Sequence, residues 1–472
     1  MPKHLRAPQH APRGRRLALT AALAALASSA AVGAALPAGA AVPPLPDMAS
    51  VARVVGAQTG WQSGATGRGI DVAVLDTGVT PVQGLHAADK VVYGPDLSFD
   101  SQNPDLAYLD GYGHGTAIAG IIAGNDGTAG GYTGVAPDAR IVSVKVGASN
   151  GAVDVSQMIA GIDWVVQHAR DPGMNIRVLN LSLGTNSVQS YQLDPLAHAA
   201  EVAWRKGIVV VVAVGNDGTD SNNVADPAID PYLLAVGAED PQGTVAYNDD
   251  TVASFSQRGT GSRHADVVAP GAYVMGLLSP GSTLATANPN AVFGGRYLRG
   301  SGTSQAAAVV SGVVADLLSA RPNLTPDQVK GILAASAVRI GTPNPNFTGA
   351  GLVQLPGALT ATAPTSTQSF PASNGNGSLH QARGTGRVVH NGVALTGEQD
   401  IFGHGWSSPA ISAAEESGSA WSGGSFNGST WSGSTWSGST WSGSTWSGST
   451  WSGSTWSGST WSGEVWLGAT WN

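Results

Sequence analysis

The chain has no cysteine, which excludes disulfides, thiolate metal sites and a cysteine nucleophile together. Charge is sparse too: Asp, Glu, Lys and Arg make up 11% of 472 residues, with 23 cations against 31 anions. Five of those cations (Lys3, Arg6, Arg13, Arg15 and Arg16) precede a segment that reads as a removable leader; without them 18 face 31, a net charge of −13. So acidic a surface repels phosphate backbones, which excludes nucleic acid as the main partner. What is present in quantity is apolar: hydrophobic residues make up 42%, enough to bury a sizeable core. At ~150 residues per domain the length allows about three domains, or one large core with appendages. Without disulfides, its stability has to come from packing.

Residues 3–16 are basic, 17–37 form an Ala/Leu-rich run, and Ala38-Gly39-Ala40 supplies small residues for cleavage. This is the pattern of a secretory signal over 1–40, with an uncleaved anchor as the alternative, since the run is long enough to span a bilayer. Arg15-Arg16 beside the run also fits a twin-arginine signal. No later stretch is expected to cross a membrane, so the product should be secreted, with no membrane span after signal removal. A short segment, 41–50, leaves no room for a folded prosegment before the main domain. From 51 to 360, β-branched runs alternate with helix-period segments, the pattern of a parallel sheet covered by helices. Strands are expected at Ile70 to Leu75, Ile141 to Val146, Val178 to Leu183, Ile208 to Val214 and Tyr232 to Val236, and a helix through Val155, Ile159, Ile162 and Val166. Thr325-Pro326-Asp327-Gln328 reads as a capped helix start. Thr, Ser, Pro, Gly and Asn dominate 361–420, which reads as a linker. From 421 to 472 an aromatic recurs every five residues, mostly in Ser-Thr-Trp-Ser-Gly units, and this tail holds ten of the 14 tryptophans. A five-residue step places successive rings on drifting faces of a helix and opposite faces of a strand. The tail therefore reads as a flexible or loosely coiled adhesive whose rings stack on cell-wall glycan or on one another.

Four short segments carry chemistry. Asp76 ends the apolar strand Val72-Ala73-Val74-Leu75, where an open α/β sheet places functional groups, although a turn or cap carboxylate would look the same. His114 sits in Gly113-His114-Gly115-Thr116, at a crowded helix start or on a mobile surface turn. Ser304 follows Gly300-Ser301-Gly302-Thr303 at the first turn of an apolar helix, as a nucleophile or an ordinary cap. Asn216 lies in Val214-Gly215-Asn216-Asp217-Gly218, directly after a strand. Together these types suit acyl transfer: a serine needs a histidine to take its proton, the histidine needs a carboxylate to hold its tautomer, and an amide beside the serine N–H can donate to an oxyanion.

In this Asp, His, Ser order, with the Asn segment, the sequence resembles the subtilisin-like (subtilase) serine endopeptidases over ~50 to ~360. The resemblance implies a doubly wound α/β fold with a mainly parallel sheet. It makes Asp76 the triad carboxylate, His114 the general acid/base, Ser304 the nucleophile and Asn216 the oxyanion donor; Asp110 matches an acidic position near the histidine. It also implies that a protein or peptide substrate is held as an added strand between Ser182-Leu183-Gly184 and Gly151-Ala152-Val153. Preference at the residue before the scissile bond would come from Ala213, Val214, Gly215 and Ala225-Asp226-Pro227, with Asp226 expected to be a solvated loop carboxylate. Three departures stand out. Gln305 replaces the usual Met and Ala308 the usual Pro, so the helix should be less interrupted. Leu85 stands where many members place a calcium-binding carboxylate, and Asn125-Asp126-Gly127 alone offers too little oxygen; no metal or other cofactor is assigned, with calcium left open but without a site. The short 41–50 segment is the third. The reading is a secreted endopeptidase; the alternatives are an inactive protease-like wall- or glycan-binding protein and an esterase using the same acyl chemistry.

Overall fold

The computed structural model describes residues 47–341, 344–390 and 393–430, and the backbone of short strands at 437–441 and 444–447. The leader and most of the repeat tail lie outside the described residues. The main sheet is built from β1 (Asp71–Asp76), β2 (Val91–Asp96), β3 (Arg140–Lys145), β4 (Ile176–Leu181), β5 (Val209–Ala213), β6 (Leu234–Asp240), β7 (Thr251–Val252) and β8 (Val267–Pro270). Its order is β2-β3-β1-β4-β5-β6, with β7 and β8 both paired to β6. Every pairing among these is parallel except that of β7 with β6. The Val- and Leu-rich runs of β1, β4 and β5 are buried throughout, as strands covered on both faces must be. The five expected strands are present: the first three are displaced by one or two residues, the fourth is shorter by one residue at each end, and the fifth starts two residues later and runs on to Asp240.

Helices cover both faces. The helix Val155–His168 starts with a capping box in which Asp154 N–H donates to Gln157 Oε1 at 2.7 Å. The helix Pro326–Ser336 starts with the reciprocal Thr325–Gln328 pair, at 3.0 and 3.3 Å. Thr303–Ala320 is an uninterrupted 18-residue helix through Ala308. It is also long and apolar enough to cross a membrane, unlike the expectation for any stretch after the leader; 89% of it is buried, so its apolarity serves the core.

Two boundary expectations need correction. The domain begins before residue 51: Asp47 caps the helix Met48–Val54, and Met48 is buried. More consequentially, residues 361–420 are not a linker. Leu379, Ala382, Val388, Leu395, Ile401, Phe402 and Trp406 are buried in the same core as β1 and β4. The first two units of the repeat join them. Trp421 and Phe426 are both buried, with ring centroids 5.5 Å apart, and the Trp421 Nε1–H donates to Ala160 O at 2.8 Å. Trp421 and Phe426 are cross-strand partners in a small antiparallel sheet whose turns are Gly423-Gly424 and Asn427-Gly428, all four at positive φ. These two-residue reversals match the primed hairpin turns. Because the chain doubles back between the rings, an odd spacing brings them to one face instead of alternating them.

Candidate active site

Between β1 and β4 the chain reverses the direction in which it lays down strands, and the carboxyl ends of strands at such a switch point form a crevice. Asp76 closes β1 there, and Ser182 follows β4. His114 begins the helix His114–Ala123, and its Nδ1 lies 2.8 Å from both carboxylate oxygens of Asp76. All of this is buried: His114 is 0% and Asp76 1% exposed. A carboxylate only accepts, so Nδ1 carries the proton and Nε2 is the basic nitrogen. The pair is held from behind. The Asp110 carboxylate accepts from Thr77 Oγ1, Gly113 N and Thr116 N, each at 2.7 Å, and Gly115 N donates to Thr77 Oγ1 at 2.9 Å. Burial pushes Asp110 up, and those hydrogen bonds oppose the shift. Gly115 allows the close approach: a Cβ there would sit 2.2 Å from Gly78 O and 3.1 Å from Asp76 Oδ1.

Ser304 is the second residue of the helix Thr303–Ala320, in the turn whose N–H groups have no partner within the helix. Its hydroxyl donates to Ser182 O at 2.9 Å, and the Ser182 hydroxyl donates to Ser304 O at 3.1 Å. Asn216 is oriented from its oxygen side, with Oδ1 accepting from Thr303 N at 2.8 Å and Thr303 Oγ1 at 2.9 Å. Gly215 N donates to that same hydroxyl at 3.2 Å. The amide nitrogen of Asn216 is thereby turned outward. A Cβ built on Gly302 would lie 3.6 Å from Asn216 Nδ2 and 3.7 Å from Ser304 N, so both nitrogens border the same point. Gln305 borders it, with Oε1 2.7 Å from that point.

Of the proposed substrate edges, Ser182 is tied to Ser304 as above, and Gly184 fits only without a side chain, since a Cβ would meet Asp226 O at 2.6 Å. In the other edge Gly151 lies under the Tyr112 ring, two residues before His114. Ala213 ends β5, while Val214 is tied to β6 through Val214 N–Val236 O and Gly215 to a loop through Gln257 N–Gly215 O. Beside them opens a cavity of about 110 Å³ lined by Thr185, Ser187, Val188, Asp217, Val224 and Gln257, among others. Apart from Ala225, none of the residues expected to set preference lines it. Gln257 is far from the motifs in sequence, and only the fold brings it in. The solvated reading of Asp226 is overturned. It is 0% exposed and bridged through its backbone to Thr185, while neither carboxyl oxygen has a hydrogen-bond partner among the described residues. Burial first, then the Asp194 charge, push Asp226 well above the ordinary carboxylate range.

The Asn125-Asp126-Gly127 loop has other work. Asp126 is bound by both terminal nitrogens of Arg296 and accepts from Tyr132 N at 2.9 Å. Among the described residues no group of three His, Asp or Glu side chains is placed to hold a metal ion.

A doubly wound α/β domain carrying this site belongs to a known class. Residues 67–424 match the peptidase S8, subtilase family, and the chain is therefore a member of it. It is 37% identical over 295 residues to the serine protease AprX of Bacillus subtilis, covering 61% of this chain and 65% of that protein. Subtilisin Savinase of Lederbergia lenta is 35% identical over 295 residues, covering 62% of this chain and 92% of the relative. The chain thus spans just under two thirds of AprX. Among solved structures, fervidolysin from Fervidobacterium pennivorans, described as a keratinolytic enzyme related to subtilisin, matches with a TM-score of 0.54 at 32% identity, covering 67% of this chain and 46% of that one.

Proposed function

We propose that the protein is a serine endopeptidase working through Asp76, His114 and Ser304, with Asn216 as an oxyanion donor. The observations that support this reading are the approach of Ser304 N and Asn216 Nδ2 to one point beside Gly302, and the buried Asp76–His114 pair. In the reaction, Ser304 Oγ attacks the scissile carbonyl carbon as His114 Nε2 takes its proton. The tetrahedral oxyanion is held by the two converging N–H donors. Collapse breaks the C–N bond, the departing amine takes the proton from His114, and water then hydrolyses the acyl ester by the same steps. Substrate is an extended peptide lying between 151–153 and 182–184, its preferred side chain entering the cavity beside Ala213, Val214 and Gly215.

The basic and apolar leader supports export, and a tryptophan-rich tail with one charged side chain supports attachment to wall glycan. The test is titration with a serine-directed fluorophosphonate alongside casein hydrolysis. One site per chain should be labelled, and Ser304→Ala should lose both label and turnover. Casein cleavage by purified Ser304→Ala at the parent rate would reject the assignment.

A further inference from the structure

Four consecutive residues of the C-terminal segment, Ala382 to Thr385, touch the chain immediately after both proposed substrate edges. Arg383 is fully buried, and its Nε and Nη2 donate to Asp154 Oδ1 and Oδ2 at 2.7 and 3.2 Å. Its remaining reach goes to Gly397 O at 2.8 Å and Gln399 O at 2.6 Å. Asp154 directly follows Gly151-Ala152-Val153. On the other side, Thr185 directly follows Ser182-Leu183-Gly184, and its hydroxyl donates to Ala382 O at 2.6 Å. Asn186 comes next: its Oδ1 accepts from Thr385 N at 2.7 Å and its Nδ2 donates to Thr385 Oγ1 at 2.8 Å. Gly384 sits between these contacts at φ +60°, and a Cβ there would fall 2.0 Å from Asn186 Oδ1 and 2.8 Å from the Asn186 carbonyl carbon.

We propose that residues 382–385 hold the two substrate edges at a fixed separation, with Arg383 as the positioning residue; this rests on the peptidase reading above. A peptide adding as a strand between two edges needs them two strand spacings apart, ~9.6 Å, with their hydrogen-bonding groups in register. Neither edge secures this alone, because each is a short run beyond the end of its own element. The ion pair is suited to the task. Asp154 already caps the helix Val155–His168 through Oδ2, which accepts from Ser156 N at 2.9 Å and Ser156 Oγ at 2.6 Å. Oδ1 is left for Arg383, so the guanidinium adds little to the cap. A buried pair of this kind is a poor source of net stability, and its bidentate geometry specifies position. Burial alone would push Asp154 up, but the Arg383 charge and hydrogen bonds hold it below the ordinary carboxylate range, so the pair stays ionised.

The experiment uses the full-length protein and counts active sites with the fluorophosphonate before each assay. Arg383→Met should raise KM for an extended peptide anilide on the order of tenfold, while hydrolysis of a short acyl ester per titrated site stays within about twofold. Arg383→Lys, which restores the charge without the fork, should recover part of the loss. Gly384→Ala leaves the ion pair and pushes on Asn186, and it should raise the same KM in the same direction. If Arg383→Met yields no titratable protein, Gly384→Ala decides. Unchanged KM, or equal losses on peptide and ester, would overturn the positioning role. A parent enzyme that does not react with the fluorophosphonate would overturn the peptidase reading and the positioning role with it.

Discussion

Thr303 and Gly302 make Asn216 useful. Thr303 takes the amide oxygen with two donors, which leaves Nδ2 free of that role, and the absence of a side chain on Gly302 leaves room beside both Nδ2 and Ser304 N. Removing one of two oxyanion donors typically lowers turnover about 100- to 1,000-fold. Asn216→Ala is expected in that range, and Gly302→Ala should reach a comparable loss by filling the pocket while both donors remain. The φ of Gly302 is 169°, extended backbone open to alanine, so its melting temperature should hold. Measuring kcat with thermal melting checks this; a Gly302→Ala enzyme of parental kcat would show that the oxyanion lies elsewhere. The four residues proposed for the chemistry stand out in the sequence because each lies in a short local pattern. Thr303, Thr77 and Gln257 were not singled out, because their roles are defined by partners 87, 38 and 34 to 36 residues away.

At the scale of elements, the helix Ser408–Ser417 packs a buried carboxyl against the helix Pro195–Arg205 of the subtilase domain. Glu415 is 1% exposed; its Oε2 lies 3.4 Å from His198 Nε2 on the helix Pro195–Arg205, and it also feels Asp163 on the helix Val155–His168. Burial first, then Asp163 and Glu416, push Glu415 well above the ordinary range, with Arg205 opposing; burial does the same to Asp163. Arg205 is itself paired with Glu416 at 2.6 Å. Burial lowers His198, so it resists charging. The folded state therefore holds carboxyl protons more tightly than the unfolded chain. Stability from this contact is full below the unfolded carboxyl range near pH 4 and is lost as pH rises toward the folded pKa values. His198 acts in the opposite sense, losing stability as pH falls below about 6.5. Glu415→Gln removes the carboxyl term alone. Melting of Glu415→Gln and its parent, both carrying Ser304→Ala to prevent self-digestion, should show the variant gaining on the parent from pH 4 to pH 9. A gap independent of pH would remove Glu415 as the titrating group.

At the scale of the molecule, the subtilase domain is completed by chain that composition alone marks as spacer. Ending the chain at Thr360 would strip Arg383 from Asp154, a loss of about 3 to 5 kcal/mol for a buried pair broken on one side. It would also uncover the core beneath Leu379, Trp406, Trp421 and Phe426, at roughly 1.5–3 kcal/mol for each large apolar side chain. With total stabilities of about 5–15 kcal/mol, such a chain should fail to fold, whereas one ending at Thr430 should melt like the full-length protein. Circular dichroism melting of the two, again in the Ser304→Ala background, checks this; a cooperative transition in the shorter chain would make 361–430 an accessory.

What the sequence determined by itself was whatever repeats or clusters locally. The Val-rich strands, the Thr325 cap and the Asp76, His114, Asn216 and Ser304 segments each follow from neighbours a few residues apart, and together they point to the sheet and to the chemistry. Tertiary structure alone decided where the domain ends, why Asp226 is buried beside Asp194, and how the first aromatic repeats pack. Each depends on pairing between distant segments: Arg383 meets Asp154 across 229 residues, and Trp421 meets Ala160 across 261. A segment rich in Ser, Thr and Gly reads as solvated until a surface elsewhere offers its scattered apolar side chains a place to be buried. That offer is made by the fold, and no window of local sequence contains it.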